Sequence, residues 1–128
     1  MNGNSYVLDT NAVIQLLRGN QEVIKIASSA DFLAVSVITE LEFLSYSRLS
    51  NNDVQLFERF KSRVEVVSLE SSNTELMQTV CNLRLNTSLN MPDAIVAATA
   101  LARNAQLITA DVKCLNFLGE NSLSFVFI

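Results

Sequence analysis

Tyr6-Val7-Leu8-Asp9-Thr10-Asn11 is a short apolar run that stops on a carboxylate. Continuous Tyr/Val/Leu, without strict alternation, is the pattern of a strand buried on both faces. The next segment, Ala12-Val13-Ile14-Gln15-Leu16-Leu17, suits a helix, so the chain opens as strand–turn–helix. In open α/β sheets the ligand crevice lies outside the carboxyl ends of the strands. Asp9 falls at that edge.

Working outward, Arg18-Gly19-Asn20 is a break, Gln21 to Ser29 a second short helix, and Asp31 to Ser36 a second buried strand. Thr39 is expected to open a helix to about Arg48. Val54 to Lys61 carries Val54, Phe57 and Phe60 at helical spacing, and Val64 to Leu69 reads as a third strand. Ser72-Asn73-Thr74-Glu75 is a capping-box signature for a helix to about Leu85. After a loop over Asn86 to Asn90, Pro92 suits a first helical position, and Asp93 to Asn104 is helical and almost wholly apolar. Gln106 to Thr109 is a fourth strand, Val112 to Leu118 a helical turn, and Ser122 to Ile128 a last strand. Strands alternating with helices imply right-handed crossovers onto a parallel sheet. The expected fold class is therefore α/β, a three-layer α/β/α domain with a mostly parallel central sheet of four to five strands.

Bulk composition narrows the chemistry. With 128 residues, 49% hydrophobic content, three Gly and one Pro, the chain reads as one domain, 1–128, with a full core. No apolar run approaches the roughly 20 residues of a membrane span. Met1-Asn2-Gly3-Asn4-Ser5 lacks the basic start and cleavage site of a signal peptide, so cytoplasmic residence is expected. Cys81 and Cys114 fit no zinc spacing and no disulfide framework, and both are expected to be buried, reduced packing residues. The absence of histidine excludes Ser-His and Cys-His nucleophile pairs and the usual soft metal sites. Any chemistry is left to oxygen ligands. A net charge of −4 and a pI near 4.7 disfavour a polyanion partner unless acids gather around a cation.

Such acids exist. Asp9 and Asp111 each close an apolar strand, Asp93 opens a helix after a loop, and Glu42 lies one turn into the helix after strand two. Each also has a local structural explanation. Asp111 suits an N-cap, Asp93 is favoured by the helix dipole, and Thr39-Glu40-Leu41-Glu42 is itself a capping box. Asp9 is harder to dismiss, because a carboxylate ending a buried strand needs a partner. If the four converge, each pair repels by about 4 kcal/mol at about 4 Å in an intermediate dielectric. Hard oxygen ligands without His or Cys select Mg²⁺ or Mn²⁺. Glu40 and Glu42 lie roughly 200° apart around a helix, so only one can face the site, and spacing alone does not choose. Arg18, Arg48 and Arg84 are candidates for phosphate contacts.

Four blocks together resemble the PIN domain, most closely the VapC-type toxins of bacterial toxin–antitoxin pairs. They are Val7-Leu8-Asp9-Thr10-Asn11, Ser36-Val37-Ile38-Thr39-Glu40-Leu41-Glu42, Pro92 to Ala100 and Leu107-Ile108-Thr109-Ala110-Asp111. The resemblance implies a Mg²⁺- or Mn²⁺-dependent endoribonuclease. The family's acids fall on Asp9, Glu42, Asp93 and Asp111 as metal ligands and catalytic residues. The spacing from Ser36 selects Glu42 over Glu40, and Asn11 and Thr109 take supporting positions. It implies an RNA substrate, a homodimer and a small antitoxin whose tail enters the acidic groove. The chain departs from many relatives at Phe43-Leu44-Ser45-Tyr46, where a glycine follows the second acid, and in its low pI.

Two rival readings use the same residues. A partner-binding module on a non-catalytic PIN scaffold would be marked by loss of acids, and all four are present. An aspartyl-phosphate phosphotransferase also places an Asp after strand one. It needs a second Asp where Asn11 stands, and a lysine at a later strand end, where only Lys113 is near.

Overall fold

A computed structural model of the chain describes residues 4–128. The leaderless reading of Met1 to Gly3 lies outside them. Five parallel strands form one sheet in the order β3-β2-β1-β4-β5, comprising β1 (Ser5–Leu8), β2 (Phe32–Ser36), β3 (Glu65–Val67), β4 (Gln106–Ile108) and β5 (Ser122–Leu123). Helices α1 (Thr10–Leu17), α2 (Gln21–Ser28), α3 (Val37–Leu44) and α4 (Asn51–Lys61) precede and follow β2. Helices α5 (Thr74–Asn86), α6 (Met91–Ala102) and α7 (Val112–Leu118) flank β4. The expected α/β architecture is the one observed.

The sheet's middle strand explains the layers. Val7 packs with the buried residues of α5, α6 and α7, whereas Tyr6 and Leu8 pack with Ala12, Val13, Val23, Phe43 and Phe57. Alternate residues of one strand point to opposite faces, and both faces here are covered. Val7 aligns with Ala34 on one side and Leu107 on the other. Strand order reverses between β1 and β4, which makes their carboxyl ends the topological switch point.

Several boundaries differ from expectation for local reasons. Helix α3 begins at Val37, not Thr39, because the Ser36 hydroxyl accepts from the Ile38 amide at 3.1 Å as β2 ends. It stops at Leu44, short of Arg48, and the Ser45 hydroxyl donates back to the Leu41 carbonyl. Helix α4 starts three residues early, at Asn51, on a reciprocal Ser50–Asp53 capping box at 3.1 Å each way. The cap of α5 is Asn73, not Ser72. Pro92 is the second residue of α6, after Met91, and Asn104 lies beyond the helix at φ 51°, a left-handed turn that Asn tolerates. The last strand is only Ser122–Leu123. Beyond it the chain leaves the sheet for α1 and α2: Val126 N–H donates to Glu22, Ile128 N–H donates to Gln15, and the Val126 carbonyl accepts from Asn20. Cys114 is buried as expected, but Cys81 is exposed on α5.

Candidate metal centre

The switch point holds a crevice of about 440 Å³ lined by Asp9, Thr10, Asn11, Glu42, Asp93 and Asp111, with Ser45, Tyr46 and Val96 around them. Four elements deliver the acids. Asp9 follows β1 and N-caps α1, its Oδ1 accepting from the Ala12 amide at 2.8 Å. Asp111 caps α7, its Oδ1 accepting from the Lys113 and Cys114 amides at 2.8 and 3.4 Å. The two capping explanations therefore hold alongside the clustering; each cap engages Oδ1, and the Asp9 carboxylate also has the Thr109 hydroxyl as a hydrogen-bond partner.

Asp93 is freer. Asn90 N-caps α6 by accepting the Asp93 amide at 2.9 Å, so the Asp93 carboxylate is not needed as a cap. Glu42 does not reach back along its own helix, where Thr39 is fully buried; its Oε1 accepts from the Thr10 hydroxyl at 2.5 Å. Glu40 points elsewhere and pairs with Lys61 at 2.9 Å. That pair is partly exposed and contributes at most about 1 kcal/mol. Among the described residues, no Lys or Arg forms an ion pair with Asp9, Glu42, Asp93 or Asp111.

The electrostatics reflect this. Burial pushes the Asp9 carboxyl up to about 6, and the charges of Asp93 and Asp111 add to the shift. The neighbouring Thr109 hydroxyl and Ala12 amide counter it in part. Thr109 is fully buried, and its hydroxyl accepts from the Asp111 amide at 3.0 Å, which links the two strand-end acids. Asp93 is also raised, first by desolvation and then by Asp111 and Glu42, with Lys113 acting in the opposite sense. An oxygen-only donor set held at this cost in repulsion fits a hard divalent cation.

Within the crevice the tightest group is Asp93, Asp111 and Cys114, whose ligand atoms all lie within 4.8 Å of one another. Asp9 and Glu42 share the cavity but stand outside that triangle. The Cys114 thiol is pushed up to about 12, by burial first and the three aspartates next, so it stays protonated as a packing group. Its nearness to the acids, and the Thr10–Glu42 bond across 32 residues, had no signal in the sequence. Asn11 lines the crevice, and Arg84 turns away from it to donate to the Leu89 carbonyl at 2.8 Å.

Glu42→Gln is expected to weaken Mn²⁺ binding about tenfold or more, whereas Glu40→Gln leaves it unchanged. Calorimetric titration of both variants reads the difference. Equal losses would remove the distinction the geometry draws between the two glutamates.

A doubly wound parallel sheet with an acidic pocket at its switch point defines the molecule as an α/β domain whose strand ends gather carboxylates. The PIN domain model matches residues 6–116, and the chain belongs to that family. Solved structures share the fold. A toxin–antitoxin complex from Klebsiella pneumoniae aligns with TM-score 0.79 and 24% identity, covering 97% of this chain and 100% of that one. VapBC2 from Rickettsia felis, bound to a promoter DNA fragment, aligns with TM-score 0.72 and 19% identity over 94% and 98% of the two chains. VapBC-1 from nontypeable Haemophilus influenzae aligns with TM-score 0.64 and 26% identity over 94% and 96%. Among curated protein sequences, none matches significantly.

Proposed function

We propose that this chain is a divalent-metal-dependent endoribonuclease and the toxin of a toxin–antitoxin pair. The observation that carries the reading is the convergence of Asp9, Glu42, Asp93 and Asp111 on one crevice, with no cationic side chain pairing them among the described residues. Family membership and the toxin–antitoxin neighbours support it. The antitoxin partner, a homodimer and a cytoplasmic site of action belong to the same proposal. Among the described residues no helix is long and apolar enough to cross a membrane.

Asp9, Asp93, Glu42 and Asp111 would hold Mg²⁺ or Mn²⁺. When bound, such an ion acidifies a water and neutralises charge developing on a phosphate. The chain's own part is positional. The caps on α1 and α7 fix Asp9 and Asp111 by their Oδ1 atoms, and the Thr109 hydroxyl further restrains Asp9. Thr10 fixes Glu42 in the same way, and buried Thr109 braces the strand-end pair. Nothing in this arrangement requires a protein nucleophile; water attacks phosphorus and the sugar oxygen departs.

Titration with Mn²⁺ is expected to show saturable binding, and RNA cleavage is expected to stop with EDTA and return with Mn²⁺. Absence of heat above dilution would favour the non-catalytic scaffold. Cleavage that persists in EDTA would remove metal from the chemistry.

A further inference from the structure

A second pocket, of about 410 Å³, opens beside the acidic crevice and shares Asn11 and Tyr46 with it. We propose that this pocket is a single-stranded RNA subsite, seating a nucleotide that flanks the phosphate at the acids; the proposal rests on the ribonuclease reading. Its volume lies in the range of ordinary small-ligand sites. Its lining is mostly apolar, with Leu17, Leu49, Leu56 and Phe127 beside Ile14 and Phe43, and Arg18, Arg48 and Asp53 are its charged members. Among the described residues, neither guanidinium makes a hydrogen bond or ion pair.

The local charge of the pocket, Arg18 and Arg48 against Asp53, favours RNA over an apolar protein segment here, in contrast to the acidity of the molecule as a whole. The molecule is acidic overall, and several of its cations are already engaged. Lys61 and Arg103 pair with glutamates, and Arg84 binds a carbonyl. Arg18 and Arg48 line a pocket that adjoins the acidic crevice through Asn11 and Tyr46. They so offer cations to the phosphates of a strand that continues from the acids into it. A planar guanidinium matches phosphate oxygens two at a time. Tyr46, 48% exposed and common to both cavities, offers a ring face on which a base can stack. The acids then hold the reacting phosphate, and this pocket sets which strand geometry reaches them.

The test uses the full chain and a fluorescein-labelled oligouridylate, with Ca²⁺ replacing Mg²⁺, and reads anisotropy against salt. Tyr46→Ala is expected to weaken binding about fivefold or more, with Tyr46→Phe restoring it. The double variant Arg18→Ala/Arg48→Ala is expected to lower the salt slope by about 1.4, two phosphate contacts on a single strand. Arg63→Ala, at the opposite end of the sheet just before β3, is expected to change neither quantity. Pocket variants with unaltered melting temperature that bind like the wild type would overturn the subsite. They would leave the pocket to an apolar partner segment, with the nuclease reading intact. A wild-type protein that binds no RNA would overturn both.

Discussion

Asp9→Asn is expected to abolish metal-dependent RNA cleavage while making the metal-free protein more stable at neutral pH. The activity loss follows from removing an anionic ligand at the switch point, worth several kcal/mol of transition-state stabilisation, or about a thousandfold and more in rate. The stability gain follows from the carboxyl's position. Its pKa of about 6 in the fold lies above the value of 3.8 for the unperturbed group. The folded chain therefore holds that proton more tightly than the unfolded one. The stabilisation is full below about pH 4 and is lost as pH rises through 6. At pH 7 without metal, the wild type carries a penalty of up to about 3 kcal/mol that Asn avoids. Asn also caps a helix as well as Asp, so the Ala12 amide keeps its acceptor. Thermal melts in EDTA are expected to place the variant several degrees above wild type at pH 7 and level with it at pH 4. Adding Mn²⁺ is expected to raise only the wild type. Undiminished RNA turnover by the variant would refute Asp9 as a ligand, whatever the melts show.

Phe57→Ala is expected to cost about 3–5 kcal/mol of stability, the range for deleting a fully buried aromatic ring. Phe57 is fully buried and stacks on Phe43 with centroids 4.6 Å apart, and Phe60 tilts against it at 6.2 Å. These rings fasten α4 to α3, and Phe43 is the immediate neighbour of Glu42. The cavity therefore loosens the helix that carries one acid. Urea unfolding is expected to show the lower midpoint, and calorimetry a weaker Mn²⁺ affinity than in Phe57→Leu. A loss below about 1 kcal/mol would mean that α4 packs independently of the core.

The parts legible in the sequence are those decided by neighbours along the chain. Tyr6 to Leu8 and Leu107 to Ile108 read as buried strands, and the carboxylate after each fell at the edge where such a sheet binds ligands, with a helix cap as the local alternative for Asp111. The apolar DAIVAATALA segment could only be a central helix. Boundaries were less legible because several side chains compete to cap one helix. Asn73 wins over Ser72, Ser36 over Thr39, and Asn90 turns Pro92 into a second residue. Helix periodicity alone did not choose between Glu40 and Glu42; the family resemblance did, and its physical basis lies in Lys61, 21 residues from Glu40, and Thr10, 32 from Glu42. The last strand failed because apolar alternation in Ser122 to Ile128 cannot show that Gln15 and Asn20 compete for its backbone. Cys114 against Asp93 and Asp111, and the unpaired Arg18 and Arg48, are products of three-dimensional juxtaposition only.

The strand order has a consequence for biosynthesis. Strand β1 is made well before its second neighbour, β4, which aligns with it through Gln106 to Ile108. Parallel pairing across so long a separation is slow and late. Asp93 and Asp111 thus meet Asp9 only when the long stretch between β1 and β4 has left the ribosome. A nascent chain of this topology cannot close the acidic crevice until α6, β4 and the start of α7 have all emerged.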